Sequence, residues 1–479
     1  MPTRRETEQA IAGSKGITRR LPIGAEIHDG GVHFRVWAPR RKRLEVVFEN
    51  GAAPSVSLTA GADGYFAGLA SNLGDGTLYR FRLDGGDLLF PDPASRFQPQ
   101  GPHGPSQVVD PSRFQWSDHS WPGISAAHQV LYELHVGTFT PQGTWESAAQ
   151  KLPHLLETGI TCLEVMPVAE FPGRFGWGYD GVNQFAPTRL YGTPDEFRRF
   201  VDRAHSLGLG VILDVVYNHF GPDGNYMKEY SPDYFSTRHK TDWGEAINYD
   251  GPNSGPVREF FIANARHWVE EYHLDGLRFD ATQNIYDDSK DHILAAITRE
   301  ARQAAGKRNI YLIAENEPQE TRIVRSPRQG GYGMDALWND DFHHAALVRV
   351  SGHNEAYLQD YLGNPQEFIS SSRFGYLYQG QRSRHQKKRR GRPALDLPPT
   401  GFVHFTENHD QISNYARGLR TRYMCGPGIY RAMTALMLLS PQTPMLFQGQ
   451  EFGASSPFVY FADHHPELAK LVRKGRGEF

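Results

Sequence analysis

Two hydrophobic rhythms divide the 479-residue chain. From residue 21 to about 110, apolar positions fall in short runs, Val32–Trp37, Leu44–Phe48, Tyr65–Ala67, Leu78–Leu83 and Leu88–Phe90, separated by turns rich in Gly, Asp and Asn. Short strands at that spacing predict an all-β, immunoglobulin-like sandwich over residues 21–112. Proline-rich stretches, Pro91–Pro105 and Asp110–Pro111, end it. From about Gln129, strand-like runs alternate with helical periodicity, the pattern of parallel βα units. Eight strands are expected: Val130–Phe139, Thr161–Val168, Gly210–Tyr217, Gly276–Asp280, Ile310–Glu315, Met334–Asp340, Phe402–Asn408 and Pro444–Gln450. Between the third and fourth, Val257, Phe261, Ala265, Trp268 and Tyr272 form one helical stripe, with Pro256 in the first turn and Ser254 as its cap. The apolar run Met433–Leu439 reads as a buried helix, and a last helix begins near Pro466. The expected fold class is α/β: a (β/α)₈ TIM barrel over residues 113–479, preceded by the sandwich and by a disordered tail over residues 1–20.

Composition narrows the function classes. Hydrophobic residues at 39% and charged residues at 22% suit a globular protein with a sizeable core. A net charge of −3 provides no general attraction to nucleic acid or to a membrane surface. The one strong charge run, Arg382–Arg392, lacks interleaved aromatics and reads as a solvated loop between strands six and seven. Two cysteines, Cys162 and Cys425, are too few for a disulfide framework and read as inert, reduced core thiols. Met1–Arg20 is polar and basic, unlike a secretory signal, and no apolar run approaches the ~18 residues of a membrane span. The expected setting is cytoplasmic, without nucleic-acid or membrane partners.

Chemistry-bearing residues recur where the predicted strands end. Asp214 and His219 close the third strand, Asp280 the fourth and Glu315 the fifth; His409 and Asp410 follow the seventh. The C-terminal edge is where barrel enzymes assemble catalysis. A single Asp at a strand end serves equally as a turn residue or an ion-pair partner, but several carboxylates on one rim repel one another, which favours a site that uses them. Two carboxyl groups with different roles are what glycoside hydrolysis requires, and neighbouring strand ends suit the roughly 5 Å spacing of a retaining mechanism. Arg278 points to the same side of its strand as Asp280, where it would hold the carboxylate ionised. Asp335, Asp340 and Asp341 with His343 and His344 follow no recognised metal-ligand spacing and read as hydrogen-bonding residues.

The segments Asp214-Val-Val-Tyr-Asn-His219, Gly276-Leu-Arg-Phe-Asp280, Leu312-Ile-Ala-Glu315 and Asn408-His-Asp410 resemble, in order, the four sequence blocks of the α-amylase family of glycoside hydrolases. The resemblance implies Asp280 as nucleophile, Glu315 as general acid/base and Asp410 as a third catalytic carboxylate. It implies substrate-binding roles for Asp214, His219, Arg278 and His409, and for Trp177 and Tyr179 of Trp177-Gly-Tyr-Asp180, where the Tyr stacks under the sugar. Gly104–Pro111, Tyr132–Phe139, Gly330–Asp335, Asn339–His344 and Glu451–Pro457 further resemble the trehalose-releasing branch of that family. This implies hydrolysis of the α-1,4-glucosidic bond next to the trehalose end of maltooligosyltrehalose, with no cofactor, no metal and a pathway link to a maltooligosyltrehalose synthase. A glucan branching or debranching enzyme of the same family, or an inactive α-glucan-binding protein, shares the same framework. The sequence departs from the pattern at Gln283, where the family usually has a His, and after Glu315, where Asn316-Glu317-Pro318 stands. The C-terminal β-domain usual in these enzymes is not expected within these 479 residues, whether the chain is a fragment or this member lacks it.

Overall fold

The computed structural model describes residues 17–478. Nine strands form the N-terminal region: β1 Gly24–His28, β2 Gly31–Trp37, β3 Leu44–Phe48, β4 Val56–Ser57, β5 Thr59–Ala60, β6 Tyr65–Ser71, β7 Leu78–Leu83, β8 Leu89–Phe90 and β9 Ser106–Gln107. They make two antiparallel sheets, one in the order β1-β2-β6-β5 and one in the order β4-β3-β7-β8 with β9 beside β7. Phe34 on β2 meets Phe48, Tyr79 and Phe81 of the other sheet at ring separations of 6.0, 4.8 and 6.5 Å, which closes the sandwich. Most of the expected tail over residues 1–20 lies outside the described residues. Within it Arg19 is buried and donates to the carbonyls of Gly24 and His33 at 2.7 and 2.9 Å, so ordered chain already reaches residue 19.

The barrel strands are β10 Leu131–Leu134, β11 Cys162–Val165, β14 Gly210–Val215, β17 Gly276–Phe279, β18 Tyr311–Ala314, β19 Ala336–Trp338, β20 Phe402–Phe405 and β21 Thr443–Phe447. Two hairpins sit in its loops, β12 Ala169–Glu170 with β13 Asn183–Pro187, and β15 Phe235–Thr241 with β16 Gly244–Ile247. Every barrel pairing is parallel, and β10 against β21 closes the ring. All eight expected strands are present, each shorter than its apolar run. Val136–Phe139 turns into a helix instead of prolonging β10.

Period-two alternation sorts each barrel strand into two cores. Leu131, Cys162, Ile212, Tyr311, Ile313, Trp338, Val403, Phe405 and Met445 fill the interior. Leu134, Leu163, Val165, Leu213, Leu277, Phe279, Leu312 and Leu337 face the helices, in a cluster that continues into the sandwich. The helix Ser254–Glu271 lies on that outer layer with Val257, Phe261, Ala265 and Trp268 buried. Its cap is Asn253, in a left-handed turn, and Ser254 is already helical. The same helix ties the sandwich on, because Glu271 accepts from Arg96 at 3.2 Å and from Arg20 at 3.1 Å.

Three expectations are corrected. The helix Pro427–Leu439 buries Met433 and Met437 but leaves Leu439 85% exposed, because only one of its faces meets the barrel among the described residues. The basic run Arg382–Arg392 does lie between β19 and β20, yet Arg390 is only 5% exposed and pairs with Asp341 and Glu317 at 3.4 Å each. Cys162 is sealed in the barrel, whereas Cys425 is half-buried. Among the described residues no helix is long and apolar enough to cross a membrane.

Gly276 opens β17 at φ 153°, and a Cβ there would lie 1.8 Å from the carbonyl oxygen of Tyr311 on β18. Gly276→Ala is expected to cost about 2 kcal/mol or more, since the backbone of β17 must shift to admit it. Equilibrium denaturation checks this; an unchanged midpoint would mean the strand pair yields without strain.

Candidate active site

At the C-terminal edge of the barrel the inward positions change from apolar to ionisable. Asp214 on β14, Arg278 on β17 and the residues just past β17 and β18, Asp280 and Glu315, meet there because β14, β17 and β18 are consecutive neighbours in the ring. Arg278 is 1% exposed and holds all three carboxylates. Its Nη1 donates to Asp214 Oδ2 at 2.8 Å and to Asp280 Oδ1 at 3.0 Å, and its Nη2 donates to Glu315 Oε2 at 2.8 Å. The guanidinium lies 4.0 Å from the centre of the Trp338 ring, a cation–π floor contributed by β19.

Each carboxylate has further donors. Asp280 Oδ2 accepts from Asn218 Nδ2 at 3.1 Å. Glu315 Oε2 accepts the backbone N–H of Ala281 at 3.0 Å. Ala281 has φ 37°, a strained conformation for a non-glycine residue, and it turns the chain immediately after Asp280. Asp214 Oδ2 also accepts from the Tyr179 hydroxyl at 2.6 Å. Tyr179 is aimed by Gly178, whose φ of 99° leaves no room for a side chain: a Cβ would meet the Pro167 carbonyl oxygen at 2.0 Å.

Burial raises the pKa of Asp214, Asp280, Glu315 and Asp410 above the ordinary carboxylate value, with Arg278 opposing the rise at each. Asp280 adds to the rise at Glu315, and Glu315 to that at Asp410. Burial also disfavours a charged Arg278, but the surrounding carboxylates overcome it and fix its cation. His219 is pushed down to about 4 by burial and stays neutral; its Nδ1 is 2.8 Å from Asn218 Oδ1. Burial also works against a charged His409, yet the Glu133 carboxylate at 2.5 Å from its Nδ1 raises its pKa.

The structure brings together every residue singled out in the sequence, but in two layers. Asp280, Glu315 and Asp410 line the rim. Asp214 is 2% exposed and acts through Arg278 and Tyr179. Trp177 is also a layer back, stacked on Phe458 at 5.6 Å and edge-on to His409 at 5.2 Å, with its indole N–H on the Val459 carbonyl at 3.2 Å. Tyr179 stacks on His409 at 5.0 Å.

Four participants were not singled out. Asn218 orients Asp280, Trp338 underlies Arg278, and Glu133 on β10 clamps both the N–H and the ring of His409. Glu164 on β11 lies in register with Glu133, sealed in the barrel with neither oxygen hydrogen-bonded. Burial, with the Glu133 charge, raises its pKa well above the usual value. The inward period-two position of Glu133 and Glu164 was the available signal.

A closed parallel barrel with paired carboxylates at its C-terminal edge fits a glycoside hydrolase, and similarity to known proteins gives its class, the α-amylase type. Residues 108–262 match the family described as Alpha amylase, catalytic domain. The malto-oligosyltrehalose trehalohydrolase of Saccharolobus solfataricus is 40% identical over 95% of this chain and 80% of its own length. That of Deinococcus radiodurans is 42% identical over 95% of this chain and 73% of its own. A crystal structure described as an alpha amylase from Salmonella typhimurium superposes with a TM-score of 0.91 at 41% identity, over 96% of this chain and 78% of that one. The chain belongs to the malto-oligosyltrehalose trehalohydrolase family.

Removing the buried guanidinium leaves three carboxylates facing one another. Arg278→Met is expected to destabilise the fold by about 3–5 kcal/mol near neutral pH. Without the cation their folded-state pKa values rise further above the unfolded ones. Such groups stabilise below the unfolded pKa and lose that contribution as pH rises through the folded pKa, so the deficit is expected to be larger at pH 8 than at pH 5. Urea denaturation at the two pH values checks this; an equal deficit would refute the repulsion argument.

Proposed function

We propose that this protein hydrolyses the α-1,4-glucosidic bond next to the trehalose end of maltooligosyltrehalose, releasing trehalose by a retaining double displacement. The observation that carries the chemistry is the sharing of Arg278 by Asp280 and Glu315. Two carboxyls on adjacent terminal nitrogens of one guanidinium, at 3.0 and 2.8 Å, suit the close retaining geometry of roughly 5 Å better than a spacing with room for an intervening water. The choice of substrate is supported by the trehalohydrolases of about 40% identity that match along 95% of the chain.

In this reading Glu315 is the acid. Its raised pKa keeps a proton available for the leaving oxygen. Asp280, held toward its ionised form by Arg278 and Asn218, attacks the anomeric carbon. The bond to the leaving oxygen breaks as the carboxylate–sugar bond forms, and the proton of Glu315 passes to that oxygen. Glu315, now a base, takes a proton from water, which displaces Asp280 and restores the α configuration. His409, His219 and Tyr179 contact the sugar at the cleavage point, and Asp410 holds its hydroxyls. Residues 21–112 form a separate sandwich domain ahead of a catalytic barrel over 113–479. A cytoplasmic setting, and a synthase that supplies the substrate, complete the proposal.

Chromatography of products tests it directly. Trehalose is expected from maltooligosyltrehalose, with little glucose or maltose from maltohexaose; cleavage or transfer on maltohexaose alone would move the reaction to another branch of the family. Asp280→Asn is expected to lower turnover by at least about 10³-fold with the fold intact. A variant keeping more than a few per cent of activity would sink the nucleophile assignment.

A further inference from the structure

Three aspartates flank β19, Asp335 before it and Asp340 and Asp341 after it, and only one is unaccounted for. Both Asp335 oxygens accept from Arg302 Nη2 at 2.9 Å, and its Oδ2 also accepts the Leu312 N–H at 2.8 Å. Asp341 accepts from the Tyr361 hydroxyl at 2.6 Å and the Tyr378 N–H at 2.8 Å, and pairs with Arg390 at 3.4 Å. Asp335 ties the helix Ile293–Ala304 to β18, and Asp341 holds the loops of residues 355–392 against the barrel. Asp340, the first residue of the helix Asp340–Ser351, is 7% exposed. Among the described residues its carboxyl has no hydrogen-bond or ion-pair partner, and its oxygens are not among the orphaned polar atoms sealed in the interior.

A carboxyl nine-tenths buried with no donor forfeits hydration and gains nothing within the fold. Such an acceptor is satisfied when a ligand brings hydroxyl groups to it. Its position says which ligand. β19 lies between β18, which ends at Glu315, and β20, which leads to Asp410. The charges of Glu315, Arg390, Glu317 and Asp341 all act on Asp340, and those of Asp410 and Asp340 both act on the Tyr357 hydroxyl. Around the rim the order is Asp280, Glu315, Asp340, so Asp340 stands on the far side of the acid/base from the nucleophile.

We propose that Asp340 is a substrate-binding residue that accepts hydrogen bonds from hydroxyl groups of the leaving sugar, the trehalose unit, beside Glu315. This deepens the function proposed above and rests on the roles given there to Asp280 and Glu315. Asp340 performs no proton transfer to the glycosidic oxygen; it holds the leaving disaccharide where Glu315 reaches that oxygen. A trehalose unit is non-reducing and presents hydroxyls on both rings, so an acceptor here reads a group that every correct substrate carries.

The test is direct binding of trehalose, measured by titration calorimetry on the wild type, Asp340→Asn and Asp340→Ala. Loss of the hydrogen bonds that Asp340 makes to the sugar hydroxyls is expected to raise the trehalose Kd by about 10-fold. In turnover, KM for maltooligosyltrehalose is expected to rise with it while kcat changes far less. Circular dichroism identifies any variant that fails to fold, and the near-isosteric Asn variant then carries the test. An unchanged trehalose Kd in a folded variant, or no trehalose binding by the wild type, would overturn the proposal. The function proposed above is read separately, from trehalose release by the wild type.

Discussion

Three carboxylates from consecutive barrel strands converge on Arg278, and the rest of the site depends on that guanidinium. Two like charges about 4 Å apart repel by roughly 4 kcal/mol at an effective dielectric of 20. Asp214, Asp280 and Glu315 could not stay ionised in this interior without a cation among them. Arg278 supplies the charge and also the geometry, because its rigid planar fork fixes where each oxygen sits. Trp338 beneath it and the closed ring around it keep water from screening these contacts.

Above this plane the side chains differ in how far they remain free to act. Asp214 spends its contacts on Arg278 and Tyr179, and Glu133 spends its contacts on His409. These buried acids orient other residues. Asp280 and Glu315 retain surface at the rim, with their side chains 13% and 24% exposed. Their environments also differ in kind. Asp280 accepts from Arg278 and from a side-chain amide, while Glu315 accepts from Arg278 and a strained backbone N–H and feels the negative charge of Asp280. Burial raises the pKa of both carboxyls and Arg278 opposes the rise at each, while a neighbouring carboxylate, Asp214 for Asp280 and Asp280 for Glu315, adds to it.

The surrounding fold makes this arrangement rigid. The sandwich is fastened by ion pairs to the helix that follows β16, and that helix packs on the outer face of the strands that carry Asp214 and Arg278. A glycine at φ 99° turns Tyr179 under His409, and Ala281 turns Thr282 and its own N–H onto Glu315. Positive-φ backbone at two points just outside regular strands, free at the glycine and strained at Ala281, therefore aims the side chains that the strands bring near.

The sequence by itself determined what depends on neighbours along the chain. Strand-like runs alternating with helical periodicity marked the eight barrel strands, a four-and-three residue stripe marked the helix beginning at Ser254, and acidic residues at strand ends marked Asp280, Glu315 and Asp410. Tertiary structure decided whatever depends on a distant partner. Glu133 and His409 are 276 residues apart, so nothing local paired them. Trp338 reads as one more strand hydrophobe until Arg278 lies over it. Asp340 and Asp341 are adjacent acids, but only the second meets donors brought in by Tyr361, Tyr378 and Arg390. Arg390 is buried within a basic run, and Leu439 is exposed within an apolar one. Hydropathy records what a side chain would favour, whereas burial is set by which surfaces the closed ring leaves beside it.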